Sequence, residues 1–266
     1  MTVALDATYS VGRNLSGVGV YSREILLGLA AAAPGERYAW CYRPHRFWRG
    51  LKEARPSNVS VRLLIDGILP QGVQLFHGLN QRMPPQRFAR SVVTFHDLFV
   101  LSAEYSSVEF RERFAAQARE AAARADLLIC VSGFTASQVE SFLGVERSRL
   151  RVVPHGVRFK LEREGIEREP VVLHVGAIQK RKNLTTLIEA FEQAAPPPWR
   201  LCLAGASGYG AEEVFERIAR SPARARIETP GWVDDEAVAL LYARSSIFAF
   251  PSLDEGFGIP LLEAMA

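Results

Sequence analysis

The chain has 266 residues, 48% hydrophobic and 23% charged, with a formal net charge of +3, a balance that describes a soluble globular protein with apolar material for two cores. Cys41, Cys130 and Cys202 stand far apart and read as buried reduced thiols, while five scattered histidines show no zinc-ligand spacing, so neither a disulfide framework nor a bound metal is expected. No charged-then-apolar leader follows Met1 and no apolar run approaches the roughly 20 residues of a membrane helix, so the expectation is a cytoplasmic protein that does not span a membrane.

Short apolar runs alternate with helical patterns from end to end. Val3-Ala4-Leu5 reads as a strand, followed by a Gly-rich stretch and a helix from about Val20 to Ala33; residues 38–42, 59–62, 75–77 and 92–95 read as further strands. A long helix is expected from about Ser107 to Arg124, with Phe110, Phe114 and Ala118 on one face at helical spacing. Leu127 to Val131 is then a buried strand, Ser132 caps the next helix, and Arg151 to Pro154 closes the series. Residues 159–169 are charged, nearly non-periodic and end at Pro170, as an exposed linker does. A second series follows, with strands near 171–175, 200–204, 226–228 and 247–250 and helices near 184–193, 211–220 and 236–243. The β-then-α rhythm predicts an α/β protein of two Rossmann-like parallel-sheet domains, 1–158 and 170–266, facing a cleft.

The charge is unevenly placed. Residues 1–160 hold 21 Lys and Arg against 13 Asp and Glu, whereas 161–266 hold 11 against 16. A basic front half can attract an anionic membrane or an acidic substrate; nucleic acid is not expected, because the cations form no run or known binding motif. Residues 43–52 interleave aromatics with cations, which suits a membrane interface, while the plainer reading is a solvated surface helix with Trp48 folded inward.

Four sets of residues carry chemistry. Gly17 and Gly19, before the first helix, let backbone amides approach an anion or simply shape a turn; Ser22 stands where a dinucleotide fingerprint would place its third glycine, which disfavours a nicotinamide enzyme. Gly176 ends the first strand of the second series, and Arg181 and Lys182 follow where a helix begins, an arrangement suited to a pyrophosphate. His96 and Asp97 end a buried strand, where the imidazole can meet a sugar hydroxyl with Asp97 orienting it, or can be structural. Glu255 lies in a turn and Glu263 about seven residues into the helix opened by Gly258-Ile259-Pro260, so the two carboxylates address different parts of one extended ligand.

With these residues in view, the chain resembles glycosyltransferase family 4, the retaining nucleotide-sugar transferases of GT-B fold. The resemblance rests on Phe250-Pro251-Ser252 leading into residues 255–266, on Val175-Gly176 with Arg181-Lys182-Asn183, and on Gly231-Trp232-Val233; Leu5-Asp6-Ala7 followed by residues 17–21 looks like a mannosyltransferase branch of surface-polysaccharide assembly. It implies that Gly17 and Gly19 approach the donor phosphate, that Arg181 and Lys182 neutralise the departing diphosphate, and that Glu263 holds ribose hydroxyls. It also implies that Glu255 holds the transferred sugar, that Phe257, Gly258 and Ile259 offer backbone amides, and that His96 lies near the sugar and the acceptor hydroxyl. No metal or other cofactor is implied. The implied partners are a nucleotide-diphosphate sugar, with GDP-mannose as the expected donor, and a glycan or lipid-linked acceptor, with peripheral contact between the basic front half and an anionic membrane. Two departures stand out: Ala177 where many members carry arginine, and His155-Gly156 where Asn-Gly is commoner. The second domain shows four strands and lacks the later ones of the family, which predicts a truncated chain; a catalytically silent nucleotide-sugar-binding fragment and an epimerase of the same fold are the rival readings.

Overall fold

The computed structural model describes residues 1–12, 14–157 and 165–266. Residues 159–164 of the expected linker lie outside them. The described residues divide into two compact units, one of residues 1–101 and 111–154, the other of residues 102–110 and 155–266.

The first unit is built on β1 (Thr2–Asp6), α1 (Gly17–Ala32), β2 (Arg37–Tyr42), α2 (Pro44–Gly50), β3 (Val59–Leu63), β4 (Leu75–Gly78), β5 (Ser91–Phe95), α3 (Phe99–Ser102) as far as Leu101, α4 (Val108–Arg124) from Arg111 onward, β6 (Leu127–Cys130), α5 (Gly133–Leu143) and β7 (Leu150–Val152). Its seven strands are all parallel in the order β3-β2-β1-β4-β5-β6-β7. Parallel strands need both faces covered, and the strand sequences are apolar on both. Leu5, Trp40 and Tyr42 pack with Leu26 of α1, whereas Ala4, Ala39 and Phe76 form a core with Leu64 and Phe88. Farther along the sheet, Phe95 and Leu128 meet Phe114, Ala118 and Val139. Each large side chain buried this way contributes about 1.5–3 kcal/mol.

Local chemistry moves three expected positions. The first helix starts at Gly17, not near Val20, because Ser16 is its cap and accepts from the Gly19 amide at 3.3 Å. Phe110 is 37% exposed, and the buried face of α4 begins with Phe114. Trp48 is not folded inward: it is 75% exposed, and Phe47 packs against the core in its place.

The second unit contains β8 (Glu169–Val175), α6 (Leu184–Ala194), β9 (Arg200–Ala204), α7 (Ala211–Ala219), β10 (Ile227–Gly231), α8 (Asp235–Arg244), β11 (Ser245–Phe248) and α9 (Ile259–Met265). Its strands are parallel in the order β10-β9-β8-β11. Leu201 and Leu203 face Leu184, Ile188 and Phe191 of α6 and Val214 of α7, while Leu173 and Cys202 face Tyr242 of α8. The three cysteines are buried, and burial pushes their thiols up, Cys41 to about 12 and Cys130 and Cys202 to about 11. Among the described residues no helix is long and apolar enough to cross a membrane.

Candidate functional site

In the second unit the strand order turns between β8 and β11, and open α/β sheets bind ligands beyond the carboxyl ends of the strands at such a point. The loops leaving these two strands carry Arg181, Lys182 and Glu255.

After β8 the chain passes Gly176, at φ 149°, a conformation that side chains disfavour. A 3-10 turn over Lys180–Lys182 follows, and Asn183, at φ 55°, redirects the chain into α6. The cations therefore stand just before α6, as the sequence places them, in a tight turn of their own. A Cβ at Gly176 would lie 3.8 Å from the Lys182 Nζ, so the glycine leaves the space beside which the ammonium sits. Lys182 is buried, 5.4 Å from the centre of the Phe250 ring, and forms an ion pair with Glu255. Arg181 Nη1 lies 2.9 Å from Glu255 Oε2 and donates to the Asp254 carbonyl at 2.8 Å. The Leu253 amide in turn donates to the Arg181 carbonyl at 2.9 Å, which ties the two loops together.

Burial works to raise the Glu255 carboxyl, but Lys182 and Arg181 outweigh it and hold the group below its ordinary value. The two cations thus favour the carboxylate form of Glu255. Such a desolvated ionic cluster is a poor source of stability compared with apolar packing, but it keeps two cations fixed where an anionic ligand can use them. His174 backs the site from β8. Its Nδ1 donates to the Ala249 carbonyl at 3.2 Å, its buried Nε2 has no partner among the described residues, and burial pushes it down to about 4.

Glu263 is the fifth residue of α9, nearer the helix start than expected, because the helix opens at Ile259. Its Oε2 accepts from the Tyr242 hydroxyl at 3.0 Å, and burial followed by this carboxylate raises the tyrosine pKa. Gly258 precedes α9 at φ 92°, and Phe257 meets the His155 ring edge to face at 5.0 Å. The histidine that departs from the commoner Asn-Gly pattern therefore packs on a residue of the Gly-Phe-Gly turn.

In the first unit, the His96 Nε2 donates to the Leu79 carbonyl at 2.8 Å and the ring stands edge-on to Tyr21 at 4.5 Å. Tyr21 and His77 both bond the Thr94 hydroxyl, at 3.2 and 2.9 Å. Asp97, next to His96, is partly buried. Gly19 is buried against the Tyr9 carbonyl, 2.8 Å from where a Cβ would stand, and its amide is engaged by Ser16; Gly17 is exposed with open space around it. Close packing of α1 is the physical reason for glycine at position 19.

Burial pushes His77 and His96 down to about 4, as it does His174. An unfolded histidine titrates near 6.5, so as pH falls the unfolded chain takes up protons first. Each such group removes on the order of 1 kcal/mol of stability per pH unit between about 6.5 and 4. Asp6, raised by burial, works in the opposite direction and offsets part of this. The melting temperature is therefore expected to fall by several degrees between pH 7.5 and 5; a midpoint that stays constant over this range would mean that these imidazoles are not buried neutral groups.

Sequence reading did not find Tyr242 or His174 as parts of the site. Tyr242 and His174 carry no local signal, since each acquires its role from a partner 21 or 75 positions away. Gly205 was readable: it follows β9 as Gly176 follows β8, and its absent side chain lets the two loops meet.

A family model described as Glycosyltransferase Family 4 matches residues 16–160, and one described as Glycosyl transferases group 1 matches residues 158–266. The chain is 28% identical over 214 residues to the O-antigen chain mannosyltransferase B of Escherichia coli, covering 72% of this chain and 54% of that protein. It thus spans about half the length of that relative. Among solved structures it is similar to sucrose-phosphate synthase from Thermosynechococcus elongatus, with a TM-score of 0.73, 20% identity, and 99% and 78% of the two chains covered. It is also similar to HepE from Anabaena in complex with UDP and glucose, with a TM-score of 0.67, 18% identity, and coverage of 99% and 77%. The two parallel-sheet units are those of the GT-B fold, and with family models matched over both of them, the chain belongs to glycosyltransferase family 4.

Proposed function

We propose that the chain is the donor-binding and catalytic part of a retaining glycosyltransferase that moves a hexose, mannose by preference, from a nucleotide-diphosphate sugar to a glycan or lipid-linked acceptor. The observation that carries this reading is the fixed cluster of Arg181, Lys182 and Glu255 on the loops after β8 and β11, with Glu263 on the helix that follows. Arg181 and Lys182 would take the diphosphate, Glu255 hydroxyls of the transferred sugar, and Glu263 the ribose. Phe257, Gly258 and Ile259 would supply backbone amides. Gly17 and Gly19 would approach the phosphate from the first unit, and His96, held neutral, would serve sugar and acceptor hydroxyls as a hydrogen-bonding group with Asp97 beside it. Mannose is supported by the name of the Escherichia coli relative and a nucleoside diphosphate by the UDP bound to HepE.

In the reaction, the bond from the anomeric carbon to the phosphate oxygen breaks as an oxocarbenium-like sugar forms. The acceptor oxygen bonds to the same face of that carbon. Its proton passes to the departing phosphate oxygen, so a nucleoside diphosphate and a glycoside are the products. The two cations act at the phosphate, where negative charge grows most in the transition state, and they cost no reorganisation at that moment. The exposed Trp48, with Arg49 beside it on α2, is the proposed point of peripheral contact with an anionic membrane on the cytoplasmic side.

The test is a panel of GDP-, UDP- and ADP-sugars, scored for binding and for release of nucleoside diphosphate. One base is expected to bind, and Glu263→Gln is expected to raise the donor KM about tenfold with little change in kcat, as loss of a ground-state contact does. Binding without any turnover, with or without candidate acceptors, would reduce the protein to a binding module.

A further inference from the structure

The first unit holds a cavity of about 200 Å³, lined by Tyr9, Asn14, Ser16, His45, Arg46 and Arg82 among others. Its walls come from the loops after β1, β2 and β4. β1 and β4 are the neighbours between which the strand order of this sheet turns, so the cavity occupies the position at which open α/β sheets take ligands.

The charges around it are one-sided. Among the described residues two arginines and a histidine line the cavity and no carboxylate does. Among the described residues neither Arg46 nor Arg82 has an ion pair or a side-chain hydrogen bond, whereas nearby Arg43 is matched by Asp66 at 2.9 Å. Asp6 lies behind the wall, buried, with its Oδ1 accepting from the Thr8 amide at 3.1 Å; burial raises its carboxyl, and the charges of Arg43 and Arg82 oppose that rise. Two guanidinium groups that lack an ion-pair partner within salt-bridge distance line a concave surface, and their planar forks suit phosphate oxygens. Hydroxyl and amide groups of Ser16 and Asn14 add neutral donors. A neutral sugar would leave both cations uncompensated. The volume falls below the roughly 300 Å³ at which pockets begin to enclose whole drug-sized ligands, and it suits a phosphate with a small attached alcohol.

We propose that this cavity binds a phosphate group carried by the acceptor, with Arg46 and Arg82 as its principal contacts. That the phosphate belongs to the acceptor rests on the transferase reading; that the cavity binds phosphate does not.

The experiment is calorimetric titration of the whole chain with glycerol 3-phosphate and with inorganic phosphate, and co-sedimentation with phosphatidylglycerol or phosphatidylcholine vesicles. Saturable binding is expected, weakened at least tenfold by Arg82→Gln or Arg46→Gln, retained in part by Arg82→Lys, and steeply reduced by salt. Melting without phosphate should be unchanged in Arg46→Gln, whose side chain has no ion pair or hydrogen bond to lose among the described residues, and Arg82→Lys keeps the charge that acts on Asp6. Arg82-dependent binding to phosphatidylglycerol vesicles would identify the source as a lipid headgroup, and Arg82-dependent binding to the soluble esters alone would identify a soluble phosphate. No binding, or binding indifferent to both substitutions, overturns the proposal, as does competition between glycerol 3-phosphate and a bound nucleoside diphosphate, which would make the cavity part of the donor site. Phosphate binding retained in a protein that turns over no nucleotide sugar would remove the transferase reading and leave this site standing.

Discussion

Lys182→Ala is expected to lower the rate of sugar transfer by two to three orders of magnitude while the protein remains folded. The ammonium is buried, beside Gly176 and over Phe250, and is held by Glu255 from the neighbouring loop, so under the proposed function it would meet a departing diphosphate without having to be ordered first. Contacts of this kind, made to charge that grows in the transition state, account for about 3 kcal/mol of barrier. Deleting one member of a buried ion pair can cost about 3–5 kcal/mol of stability when the other is stranded. Glu255 is not stranded here, because Arg181 remains 2.9 Å from it, so the loss of stability is expected to be smaller. The measurement is the initial rate with the donor the wild type uses, alongside a thermal melt. A variant that melts earlier yet transfers at nearly the wild-type rate would show that Lys182 is only a counter-ion for Glu255.

Gly205→Ala is expected to destabilise the second unit by more than about 3 kcal/mol, at the upper end of what overpacking costs. A Cβ there would stand 1.9 Å from the carbonyl oxygen of Gly176 and 3.1 Å from the Ala177 amide. Both are backbone atoms, so no side chain can swing aside to relieve the clash. The loop that carries Arg181 and Lys182 must move instead, and activity should fall with stability. Hydrogen exchange is the suitable measurement: faster exchange is expected in β8, β9 and the residues that follow them, with unchanged protection in β1, β2 and β4 of the first unit. Wild-type protection around Gly176 would show that the two loops do not approach as closely as the structure has them.

Much of the fold was legible in the sequence because its strands are buried on both faces. Residues 38–42, 127–130 and 200–204 read as short apolar runs for that reason, and short runs between helical patterns imply parallel pairing. Element starts were harder. Ser16 opens α1 three residues before the apolar pattern does, and the first turn of α4 is exposed, so periodicity alone placed neither boundary. Trp48 could not be read from its type: Phe47 and Trp48 are adjacent and equally apolar, and the angle at which α2 meets the sheet buries one and exposes the other.

The same division holds at the candidate site. By itself the sequence determined which candidate residues stand in the loops after buried strands, since glycines, cations and carboxylates there reflect local chemistry that spacing preserves: Gly176 with Arg181 and Lys182, and Glu255 with Gly258 and Glu263. Only the tertiary structure decided their pairing. That Glu255 neutralises Arg181 and Lys182, that Glu263 is held by Tyr242, and that Leu79 supplies the carbonyl for His96 all depend on which strands lie side by side. Ion pairs and hydrogen bonds act over a few ångströms, and residues 73 positions apart come that close only because β8 and β11 are neighbours in the folded sheet.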